Sequence, residues 1–84
     1  MTTNRDVTLV KIIADLAIFL EFTDKEQLDP DAAISALEQV AAELQLLGAD
    51  DRKRISAIFT KLSGEYTDDE AKYVRSLPES LGLN

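Results

Sequence analysis

From Val7 to Leu20 the chain carries apolar side chains at almost every angle around a helix, broken only by Thr8, Lys11 and Asp15. At about 100° per residue, Leu9, Ile12, Ile13, Leu16, Phe19 and Leu20 form a broad apolar face, and Val7, Val10, Ala14 and Ala17 widen it on one side. The three polar residues make one narrow stripe, and a turn later Ile18 and Phe22 occupy its place. A surface helix keeps a wider polar arc than this. The segment therefore predicts a helix over about residues 6–22, capped by Thr3 or Asn4, that is central in a helical bundle or meets a partner.

Further helix signals follow. Thr23-Asp24-Lys25-Glu26 has capping-box spacing and predicts one short turn ending near Leu28. Asp29-Pro30-Asp31 places a capping carboxylate before a proline at the first helical position, with an acid beside the positive end of the dipole. A second helix from there should run to about Leu47 and stop at Gly48, burying Ala33, Ile34, Leu37, Val40, Ala41, Leu44 and Leu47. Asp50 is expected to cap a third helix over about Asp51 to Ser63, with Ile55, Ile58, Phe59 and Leu62 inward and Gly64 ending it. Thr67-Asp68-Asp69-Glu70 is another capping box, opening a fourth helix that should end before Pro78 and dock through Val74 and Leu77 with Ala71 or Tyr73. Leu81 and Leu83 in the tail are expected to pack on the bundle. No segment alternates with period two. The expected fold is all-α, a small antiparallel helical bundle of three main helices plus a shorter C-terminal helix, in a single domain spanning residues 1–84.

Eighty-four residues leave no room for a second core, and 45% hydrophobic with 30% charged residues is the balance of a globular chain rather than a disordered one. Cysteine and histidine are both absent, which removes disulfides, thiolate chemistry and the commonest general base and metal ligand. The polar start and the short longest apolar run, Leu16 to Leu20, point to a cytoplasmic protein without a membrane span.

Charge is distributed unevenly. Between Lys25 and Arg52 lie seven carboxylates (Glu26, Asp29, Asp31, Glu38, Glu43, Asp50, Asp51) and no base, which accounts for the whole net charge of -7. Four of these belong to predicted helix starts and Glu26 to the predicted turn. Glu38 and Glu43 have no capping role, so they are the candidate acidic face for a basic protein partner. Ile18 and Phe22 are the candidate apolar interface, unless the following turn folds back over them. Tyr66 and Tyr73 suit either interface anchors or half-buried positions at a bundle edge. Arg52-Lys53-Arg54 is the one basic cluster, too small in so acidic a chain for nucleic-acid binding. No carboxylate cluster has calcium-loop spacing, so no metal, cofactor or catalytic residue is expected.

Asp29-Pro30-Asp31-Ala32-Ala33 followed by Leu37-Glu38, and the closing Leu77-Pro78-Glu79-Ser80-Leu81-Gly82-Leu83, look like features of short bacterial all-helical proteins, over about residues 16–83. That resemblance implies no activity or catalytic residue. Size and acidity are also similar to those of bacterial immunity proteins and antitoxins, as a class. Leu47-Gly48-Ala49-Asp50-Asp51 resembles the attachment segment of acyl carrier proteins, but Asp51 stands where a carrier needs its serine. The expected function is a non-enzymatic bacterial protein-binding module of immunity or antitoxin type. A homodimeric structural or regulatory domain is the alternative, with a carrier as a residual.

Overall fold

The computed structural model describes residues 4–83. Among them are four α-helices, α1 (Asn4–Phe22), α2 (Pro30–Leu44), α3 (Ala49–Leu62) and α4 (Asp68–Ser80), with a 3-10 turn over Ser63–Glu65 and no strand. The chain is a small all-α bundle. One of the two candidate caps of α1, Thr3, lies outside the described residues.

The core is built by α3, α4 and α1. Phe59, Ile58 and Leu62 of α3 meet Val74 and Leu77 of α4, and Val10, Ala14 and Ala17 of α1 close over them. Leu81 and Leu83 of the tail join the same cluster, as expected from the sequence. α2 is peripheral. Its one buried residue is Ala33, while Leu37, Val40, Ala41 and Leu44 are half-buried and Ile34 and Leu47 are exposed. The expected buried stripe of α2 is thus present but shallow, and lacks both of its outermost members.

Helix boundaries show where local chemistry decides and where it does not. Asp29 caps α2 as anticipated, its carboxylate accepting from the Asp31 N–H at 3.1 Å with Pro30 at the first position. At residue 23 the expected cap is absent: the Thr23 hydroxyl donates back to the Phe19 carbonyl, and Asp24 organises the turn by accepting from the Glu26 N–H at 3.2 Å. α2 ends at Leu44, three residues short of expectation, because Gln45 to Leu47 turn away through bonds to Ala41, Glu43 and Leu44 carbonyls. The cap of α3 is Gly48 rather than Asp50, so Asp50 and Asp51 lie inside the first turn, near the positive end of the helix dipole. Thr67 precedes α4 without a side-chain cap bond, and Asp68 takes a left-handed φ of 52°.

The largest departure is at the end of α4, which passes through Pro78 to Ser80. A proline here removes one N–H in the last turn only, and both Leu77 and Pro78 are buried, which offsets that loss. The helix is then closed by a Schellman arrangement: the Gly82 N–H donates to Glu79 O at 3.1 Å and the Leu83 N–H to Pro78 O at 2.8 Å. Gly82 has φ 71°, and a Cβ there would lie 2.5 Å from Gln45 Nε2. Glycine is favoured here by its conformation, and a Cβ would displace the side chain of Gln45, whose amide donates to Leu81 O at 3.2 Å. That bond ties the tail to the end of α2.

Candidate functional site

α1 packs with its small side chains inward and its large ones outward. Val10, Ala14 and Ala17 are almost completely buried, whereas Leu9 is 54% exposed, Ile12 58%, Leu16 45% and Phe19 56%. By helical geometry the two sets are centred about 150° apart. The cause is volume. Phe59, Leu62 and Leu77 fill the centre, and the short side chains of Ala14 and Ala17, with Val10 beside them, let the α1 backbone come close. The broad face expected to be the buried one is therefore the open one, apart from half-buried Ile13 and Leu20 at its edge.

The open side chains are spaced 3, 4 and 3 residues apart, the a and d spacing of a two-stranded coiled coil. They form one row along the helix. Beside its C-terminal end, Leu20 and the 55% exposed Ile34 of α2 line a hollow of about 220 Å³.

On the flank of this row, Lys11, Asp15 and Tyr66 pin the 3-10 turn to α1. The Tyr66 hydroxyl donates to Asp15, the Lys11 ammonium donates to the same hydroxyl at 3.3 Å and lies 5.0 Å from the ring centre, and Lys11 pairs with Asp15 at 3.7 Å. Partial burial and the bond to Asp15 raise the Tyr66 pKa above its ordinary value, and the bond to Tyr66 raises that of Lys11. Tyr73 is raised as well, by burial first and then by the charge of Glu21. Both tyrosines are thus half-buried at the edge of the bundle.

The candidate apolar pair does not share the open row. Ile18 is half-buried against the core, and the Phe22 ring meets Tyr73 edge-on with centroids 5.7 Å apart. Phe22 thus meets α4 on one side and remains 48% exposed. Glu38 and Glu43 are both exposed, but five residues separate them, which turns them about 140° apart around α2. Glu38 borders the cleft between α2 and α4, beside Ile34, Leu37 and Tyr73, and Glu43 accepts from the Gln39 amide at 3.2 Å. They do not form one face.

A cleft of about 440 Å³ is lined by Arg52, Lys53 and Ser56 with Ala49, Ala57 and Leu83, so two cations border it. Arg52 Nε is buried there without a hydrogen-bond partner among the described residues. The sequence places the four members of the open row of α1 in one broad apolar face, with Ile13 and Leu20, on a helix that is central or meets a partner, and does not set them apart as a row. The signal was present in two spacings: Val10, Ala14 and Ala17 as a stripe of small residues, and Leu9, Ile12, Leu16 and Phe19 as a separate heptad seam.

Among the described residues no helix is long and apolar enough to cross a membrane. No family model matches the chain, no curated protein matches it, and no solved structure matches its fold.

Proposed function

We propose that the protein is a non-enzymatic cytoplasmic binding module that acts by docking another polypeptide on the outer face of α1. The observation that carries this reading is the row of four large apolar side chains turned to solvent on a helix whose opposite face is fully packed. Four half-exposed side chains of this size amount to about 400 Å² of apolar surface, within the range of the largest patch on a typical monomer, which is often functional. Apart from this row, the acidic window on α2 and its flanks gives the chain a second, charged surface that would favour a basic partner, as an immunity- or antitoxin-like protein would use, with Glu38 and Glu43 both open to solvent. The apolar row carries the docking on α1 in this reading, and the acids have no part in it.

Affinity capture from the native host, with wild type and Leu16→Asp as baits, tests the docking surface. A protein retained by wild type and lost with Leu16→Asp is expected. Equal recovery by both baits would remove α1 as the docking surface.

A further inference from the structure

We infer that the polypeptide docked on α1 is a second copy of this chain, the two α1 helices pairing antiparallel along the row Leu9, Ile12, Leu16 and Phe19; this rests on the reading of α1 as a docking face. Three observations converge on a self-partner. First, the row is self-complementary. With the helices reversed about Ala14, residue i meets residue 28 − i, so Leu9 lies against Phe19 of the second copy and Ile12 against Leu16. Every a position then faces a d position, the arrangement of an antiparallel pair.

Second, the charges fit this orientation. Arg5 extends the row by one further step toward the N-terminus. Antiparallel pairing sets it opposite Thr23 of the second copy, next to Asp24, whereas parallel pairing would set Arg5 against Arg5. The helix carries two bases, Arg5 and Lys11, against three acids, Asp6, Asp15 and Glu21. Only one unit of the net -7 therefore lies on α1, and a second acidic copy can approach on this side without strong repulsion. Asp15 is turned toward Lys11 and Tyr66. A surface of anionic lipid is disfavoured by the charge of the whole chain, and the centre of the row holds no acid to select a basic protein.

Third, the area suffices. About 400 Å² of apolar surface per copy, at the roughly 65% apolar share of homodimer interfaces, corresponds to about 600 Å² per copy. The total of about 1,200 Å² is the lower bound for a stable specific interface. A dimer that dissociates in the micromolar range is the expectation.

Sedimentation of the full chain from about 1 to about 100 μM tests this. Wild type should move from the 9.3 kDa monomer to twice that mass, and Leu16→Asp and Ile12→Lys should remain at 9.3 kDa with unchanged helical circular dichroism. Two variants are used so that misfolding of one leaves the other to decide. A wild-type monomer at 100 μM, or a dimer that persists in both variants, would overturn the inference. In the monomer case, continued loss of a captured protein by Leu16→Asp would leave the docking reading standing with a different partner, and unchanged capture would remove both. Orientation is read by mixing Leu9→Cys with Phe19→Cys in this otherwise cysteine-free chain. Mixed disulfides are expected. Homodisulfides of each variant alone would contradict the antiparallel pairing.

Discussion

The two faces of α1 differ in size of side chain, and size has the opposite effect from the one hydropathy suggests. The inner face, Val10, Ala14 and Ala17, supplies little apolar area but allows the helix to sit against Phe59, Leu62 and Leu77. The outer face, Leu9, Ile12, Leu16 and Phe19, carries large apolar side chains that are 45–58% exposed and so contributes little of their area to the monomer core. Hydrophobic content therefore does not identify the inside of a helix whose apolar residues run nearly all the way round. Close packing does, because beside Phe59, Leu62 and Leu77 the positions on α1 are filled by Ala14, Ala17 and Val10.

The sharpest way to break this comparison is to enlarge the inner face. Ala14→Leu should destabilise the fold by about 1–3 kcal/mol or more, read by urea denaturation at low protein concentration, since it adds three carbons to a filled site. A loss below about 0.5 kcal/mol would mean that the inner face is loosely packed.

Next in size is the tail that shares this core. Gly82→Ala must accept φ 71° with a Cβ 2.5 Å from Gln45 Nε2. It should cost about 1–2 kcal/mol through backbone strain and loss of the Gln45 bond to Leu81. The change should also loosen Leu83, detectable as faster amide exchange at residues 81–83.

A smaller effect is expected where the 3-10 turn is pinned beside the outer row. Tyr66→Phe removes a hydroxyl that bonds Asp15 and Lys11 and should cost about 0.5–1 kcal/mol. Tyr66 and Lys11 both hold their protons more tightly in the folded chain than at their ordinary values of 10.0 and 10.5. A raised folded pKa stabilises below the unfolded value and loses that contribution as pH rises through the folded one. Stability should therefore be level from pH 7 to about 9.5 in this respect and decline above pH 10. Tyr66→Phe should flatten part of that decline. A stability that rises above pH 10 would contradict the assignment of these contacts.

Smallest of all is the effect of Leu16→Ala on the monomer, expected within about 0.5 kcal/mol because the side chain is half in water already. Together with Ala14→Leu it gives the comparison its sharpest form. The bulky residue should be removable, and the small one not enlargeable.

The sequence revealed those elements whose signals are local. Asp29-Pro30 marks the start of α2 by a cap and a fixed φ, both properties of neighbouring atoms, and the structure has them there. The buried faces of α3 and α4 were legible because Ile58, Phe59, Leu62, Val74 and Leu77 are set among charged residues that leave one stripe apolar. Pro78 was misread as a terminator because its effect depends on surroundings: buried in the last turn and closed by Gly82 and Leu83, it stays within the helix. The inward side of α1 was illegible for a tertiary reason, since only the shape of α3 and α4 selects Ala14 over Leu16. Ile18 and Phe22 stand out in the sequence by replacing polar residues; Ile18 is half-buried against the core, and Phe22 meets Tyr73 while remaining 48% exposed.

The central claim is that the outer row of α1 is covered by association and not by the chain's own fold. The most direct measurement is the urea midpoint of wild type and of Leu16→Asp, each at about 1 and about 100 μM. For a dimer the midpoint of wild type should rise with concentration, by up to the equivalent of about 1.4 kcal/mol per chain over that hundredfold range, while that of Leu16→Asp should not move. A wild-type midpoint independent of concentration would contradict the account.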